Sequence, residues 1–105
     1  MERRQHPRIQ INNPLIVVSD GMGPSQGLVS DISASGLRII DLPKRLDLDT
    51  NQLSVIFSED TILFRMNVAP KWHREKDGRI SMGVKITNIP LRWTDFILKH
   101  EPFSP

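Results

Sequence analysis

No cysteine occurs in the chain, which excludes a disulfide staple and any thiolate metal site and suits a reducing compartment. Tyrosine is also missing, and the aromatic residues are only two Trp and four Phe. A groove that stacks successive nucleic-acid bases on exposed rings would find little material here. The longest aliphatic run, Leu15 to Val18, is far shorter than the ~20 residues that span a bilayer. The opening residues lack the apolar core of a secretory signal, so a cytoplasmic chain without membrane insertion is expected. His6, His73 and His100 show no paired-ligand spacing, and no metal site is expected from them.

What is present suits one compact domain with one core, since 105 residues at 38% hydrophobic content hardly supply two. The net charge of +2 is unevenly placed: Arg3, Arg4 and Arg8 against Glu2 account for all of it, leaving 11 basic and 11 acidic groups in residues 9 to 105. Elsewhere the charges interleave, as in "HREKDGR" from His73 to Arg79, which reads as a solvated loop. That pattern argues against long nucleic acid and for a small anionic partner.

Most of the chain carries strand signals. "NPLIVVSD" is rich in β-branched residues and ends at a "DGMG" turn, and "QGLVSDI", "GLRIIDL", "QLSVIFS", "TILFRMNVAPKW" and "RISMGVKITNI" come after it at short intervals. "SED" and "EKDG" are turn chemistries between apolar runs and predict hairpins. "KRLDLDTNQ" has no clear period and reads as an excursion between strands. About six short strands with tight joints predict an all-β fold, an antiparallel barrel closed to remove its edges. The end differs: Trp93, Phe96, Ile97 and His100 fall at i, i+3, i+4 and i+7 after Pro90 and before Pro102, the spacing of one short amphipathic C-terminal helix. Its apolar stripe is expected to cap the barrel, with a docking surface as the other reading. Trp72 is read as core packing.

Two stretches carry chemistry. In "SDISASGLRI", Asp31 and Ser33 end one strand and Gly36 opens the next. As plain turn chemistry, Asp and Ser bond their own backbone and Gly supplies a positive φ. As a site, a carboxylate that accepts guanine N–H groups, a hydroxyl and a close-approach glycine meet at a barrel rim. The second stretch is "ERRQHPRIQ". Guanidinium groups pair with phosphate or guanine O6 and N7 and stack on purines. Arginines near a chain end also fit a basic tail, but Pro7 between Arg4 and Arg8 stiffens the segment.

Arg4-Gln5-His6-Pro7-Arg8 fits RxxxR, and Asp31-Ile32-Ser33-Ala34-Ser35-Gly36 fits (D/N)xSxxG about two dozen residues later. Together, in this order and spacing, they resemble the paired signature of PilZ domains, receptors for cyclic di-GMP; "VAPKW" and "SMGVKI" resemble the later strands. The resemblance implies a six-stranded antiparallel β-barrel of the split-barrel type with a C-terminal helix, as one domain over residues 1–105. Within it, residues 1–12 would be an arginine switch, 13–89 the barrel and 90–101 the helix. Arg4 and Arg8 would contact phosphate and guanine, Asp31 a guanine edge and Ser33 the ligand by a hydrogen bond. Gly36 would allow close backbone approach, and Arg3 would favour a stacked ligand dimer. The switch would be mobile without ligand and ordered with it, and the signal would pass to an unidentified downstream protein.

An enzyme is not expected. His6, Ser33 and Asp31 are the ingredients of a hydrolase triad, but no strand-turn-helix nucleophile elbow accompanies them. Two non-enzymatic functions compete with the receptor: a barrel binding single-stranded nucleic acid, and a ligand-free adaptor working through its helix.

Overall fold

The computed structural model describes residues 9–46 and 48–100. Among the described residues seven strands, β1 (Ile9–Gln10), β2 (Leu15–Ser19), β3 (Pro24–Ser33), β4 (Gly36–Pro43), β5 (Leu53–Glu59), β6 (Ile62–Lys76) and β7 (Arg79–Ile86), precede one helix, α1 (Trp93–His100). The ring β3-β2-β5-β6-β7-β4 is antiparallel throughout, and β4 pairs back onto β3. This is the expected closed six-stranded barrel.

The seventh strand is an addition. β2 pairs with β3 from Pro24 to Leu28, and β1 continues along the same edge opposite Asp31 and Ile32. Backbone bonds from Ile11 N to Ser30 O and from Val29 N to Pro14 O bridge the gap. Ile9 and Gln10, assigned from sequence to the switch segment, are therefore sheet residues, and Ile9 is buried in the core.

Strand alternation fills the interior. Ile16 and Val18 of β2, Leu37 and Ile39 of β4, and Phe57 of β5 are fully buried, as a two-residue period with one apolar face requires. The equally buried pairs Val29 and Ile32 of β3, and Ile39 and Leu42 of β4, are three residues apart because a register shift lies within each. Leu46 of the excursion after β4 also reaches the core, with Leu48 packed against it.

The hairpins obey their turn residues. Asp77 and Gly78, at φ 55° and 77°, join β6 to β7 with Lys76 opposite Arg79, the two positive φ values of a type I′ turn. The "HREKDGR" stretch is thus a strand hairpin, where the sequence pattern reads as a loop. Its residues His73 to Lys76 are exposed but still pair with β7. Charge alternation hid the strand because neither face of this extension is apolar.

The stripe on α1 caps the barrel. Trp93, Phe96 and Ile97 are buried, and Trp93 and Phe96 join Phe57 and Phe64, with Phe64 and Trp93 centroids 5.1 Å apart edge to face, a favoured aromatic geometry. The helix begins three residues later than expected from Pro90, whose carbonyl instead accepts from Trp93 N at 3.0 Å. At its far end His100 Nε2 lies 2.7 Å from Glu59 Oε1 of β5. Among the described residues no helix is long and apolar enough to cross a membrane.

Candidate functional site

Ser33 pairs with Gly36 across a two-residue turn, so β3 ends and β4 opens where the sequence places them. The turn reading of Gly36 needs correction. The positive-φ glycines are Gly21, Gly23 and Gly78, and Gly36 is an ordinary strand residue. A Cβ there would lie 2.7 Å from the Val84 carbonyl oxygen of β7. Close approach of two strands, rather than a left-handed turn, requires the glycine.

Asp31 and Ser33 are both buried although polar. Ile32 between them belongs to the core, so alternation turns the two side chains to the other face. A bulge contributes: Val29 faces Ile39 and Asp31 faces Arg38, leaving Ser30 as the extra residue that re-aims the rest of β3. Ser30 Oγ lies 3.3 Å from Asp31 Oδ2, and Ser33 Oγ lies 3.4 Å from the Gly36 carbonyl. The Ser33 carbonyl accepts from the indole Nε1 of Trp93 at 3.0 Å. One bond therefore ties α1 to the middle of the motif.

Asp31, Ser33 and Gly36 are gathered in one hairpin, while Arg3, Arg4 and Arg8 lie outside the described residues. The two residues after Arg8 are held beside that hairpin: Gln10 faces Asp31 and Ile9 faces Ile32. The strand that runs along the motif thus starts at the residue after Arg8 in the sequence.

Sequence reasoning missed a second set of residues. Asp31 on β3 faces Arg38 on β4, Arg38 faces Gly83 on β7, and Gly83 faces Trp72 on β6. Contrary to the core reading, Trp72 is 39% exposed. Its indole lies on Gly83, where a Cβ would fall 2.2 Å from Nε1. The Arg38 guanidinium sits over the ring, 5.7 Å from its centroid, a cation–π distance. Among the described residues no group of three or more His, Asp or Glu side chains is placed to hold a metal ion.

A model of the PilZ domain matches residues 2–93. The chain belongs to the PilZ family. Solved PilZ structures share its fold. The Bacillus subtilis inhibitor of motility MotI superposes with TM-score 0.76 at 17% identity, over 94% of this chain and 49% of that one. The PilZ domain of Escherichia coli YcgR, solved with c-di-GMP, gives 0.73 at 12% identity over 94% and 92%. Borreliella burgdorferi PlzA, in complex with c-di-GMP, gives 0.68 at 19% over 93% and 40%. This PilZ chain thus spans about half of MotI and less than half of PlzA. No curated protein matches it significantly.

Proposed function

We propose that this PilZ chain is a cytoplasmic receptor for cyclic di-GMP and acts as an adaptor by binding rather than catalysis. The observation that carries the reading is the placing of buried Asp31 and Ser33 beside the strand that comes after the arginine segment. YcgR and PlzA, solved with c-di-GMP, support the choice of ligand.

The residue types fit it. Two phosphates call for guanidinium groups, which pair with them bidentately, and Arg4 and Arg8 take that role together with guanine contacts. Arg3 adds a contact that favours a stacked ligand pair. The Asp31 carboxylate accepts the guanine N–H groups, and the Ser33 hydroxyl, whose proton points to the Gly36 carbonyl, accepts from the ligand. Gly36 lets β4 lie close against β7, which steadies the hairpin that carries both side chains. The arginine segment orders over the bound ligand and presents new surface to a downstream protein.

Asp31→Ala tests the guanine contact. It is expected to weaken cyclic di-GMP about tenfold, and to weaken the inosine analogue, which lacks the guanine amino group, distinctly less. Calorimetric titration of both ligands measures the difference. Equal losses would remove the guanine-reading role from Asp31.

A further inference from the structure

We propose that the outer end of β6, residues 71–76, is a docking edge for a partner protein: an extended segment, acidic at alternate residues, joins it as a further strand. The proposal does not rest on the cyclic di-GMP reading.

β6 outruns one of its neighbours. β5 pairs with it from Glu59 opposite Ile62 to Leu53 opposite Val68, whereas β6 continues to Lys76 with β7 on its other side. Beyond Val68 one edge of β6 has no strand beside it. Among the described residues no turn or loop forms a backbone bond with residues 71–76. Pro70, which has no N–H to offer, stands at the bulge where this open edge begins. In an antiparallel ladder alternate residues turn their N–H and C=O away from the strand already paired. Residues 71–76 thus present free donors and acceptors over roughly 20 Å, enough for a strand of ordinary length.

The charges choose the occupant. Arg74 and Lys76 share one face by alternation, and the ion pairs among the described residues, Lys44–Glu75, Arg79–Asp41 and His100–Glu59, leave both without an acidic partner. Carboxylates two residues apart on an added strand would stand across from them. His73 and Glu75 face the other way and border a cavity of about 470 Å³ whose walls include Leu46, Leu48 and Ile80. Apolar residues between the acidic ones suit that side. A second copy of the chain fits worse: antiparallel pairing of residues 71–76 with themselves sets Lys71 opposite Lys76 twice, and like charges directly opposed destabilise a sheet. Lysine on an edge guards against self-pairing, and the same cations attract an acidic strand.

A short end-blocked peptide of alternating Glu and Val is the probe, read by amide exchange and NMR titration of the full chain. It is expected to slow exchange at alternate amides of residues 71–76. Arg74→Glu combined with Lys76→Glu should weaken it about tenfold or more, since two exposed charge pairs change from attraction to repulsion, and should shift the preference to a Lys–Val peptide. The melting temperature should stay, because both side chains are exposed. The Glu–Val peptide with every amide N-methylated keeps its charges but cannot donate to the edge, and it should not bind. If it binds as tightly as its parent, charge alone holds the peptide and the docking edge is overturned. Unchanged exchange at residues 71–76 with the Glu–Val peptide overturns it as well. A dimer in sedimentation, protected at these amides without peptide, would give the edge to a second copy and overturn the acidic partner. If the doubly substituted chain fails to fold, the Lys–Val and N-methylated peptides on the native chain decide.

Discussion

Replacing Arg4 and Arg8 together by alanine is expected to weaken cyclic di-GMP binding by about a hundredfold to ten-thousandfold. Each guanidinium contributes charge-assisted contacts of ~1.5–3 kcal/mol, so the pair carries roughly 3–6 kcal/mol of a binding energy in which every 1.4 kcal/mol is tenfold. The melting temperature should hardly move, because the aliphatic and aromatic packing from Ile9 to Ile97 is unchanged by the substitutions. Salt should have the same sign of effect in the native protein, since anion pairing near the surface is screened. Amide exchange adds a positional readout: ligand should protect residues 2–8 in the native chain and leave them unprotected in the double variant. Near-native affinity in the double variant would remove the arginines from the site.

The motif half of this site was legible because it is local. Asp31, Ser33 and Gly36 lie within one short hairpin, so their sequence spacing nearly fixes their spatial one. The strands were legible for a similar reason: one face of each, such as Ile16 and Val18 or Leu37 and Ile39, is apolar and buried, and that leaves a two-residue period to read. Where no face is buried, the period vanishes. Residues 73–76 are strand by pairing with β7 alone, and their charges gave no sign of it.

β1 escaped notice for another reason. Two residues carry no periodic signal, and what makes Ile9 and Gln10 a strand is the edge of β3 left uncovered beyond Leu28. The cluster around Trp72 is the least legible of all. Arg38, Gly83 and Trp72 come from three strands, and only the register of β4 on β7 and β7 on β6 lines them up. A tryptophan at the end of an apolar strand run such as "TILFRMNVAPKW" reads as core. The bulge between Pro70 and Trp72 shifts it to the outer face, and bulges have no reliable signature in a single sequence.

Trp93→Ala is expected to unfold the domain or to lower its melting temperature by more than about 12 °C. Trp93 is fully buried among Phe57, Phe64 and Phe96, and removing such a ring costs ~3–5 kcal/mol, at roughly 4–8 °C per kcal/mol for a domain of this size. That result alone would say only that the helix cap matters. Trp93→Phe separates packing from the link to the motif. It keeps a ring in the cluster but deletes the Nε1–H that reaches the Ser33 carbonyl at 3.0 Å, leaving a buried acceptor without its donor at ~1–3 kcal/mol. The Phe variant should stay folded, melt on the order of 10 °C lower, and bind cyclic di-GMP several-fold more weakly well below its transition. The loss of affinity comes from geometry: Ser33 ends β3, and its carbonyl is the point at which α1 holds the turn that sets the Ser33 hydroxyl beside Asp31. A native melting temperature would mean that the Trp93–Ser33 bond contributes nothing to stability. A lowered melting temperature with native affinity would confine α1 to capping the barrel, and the ligand would then be read by a turn that β4 and β7 position without it.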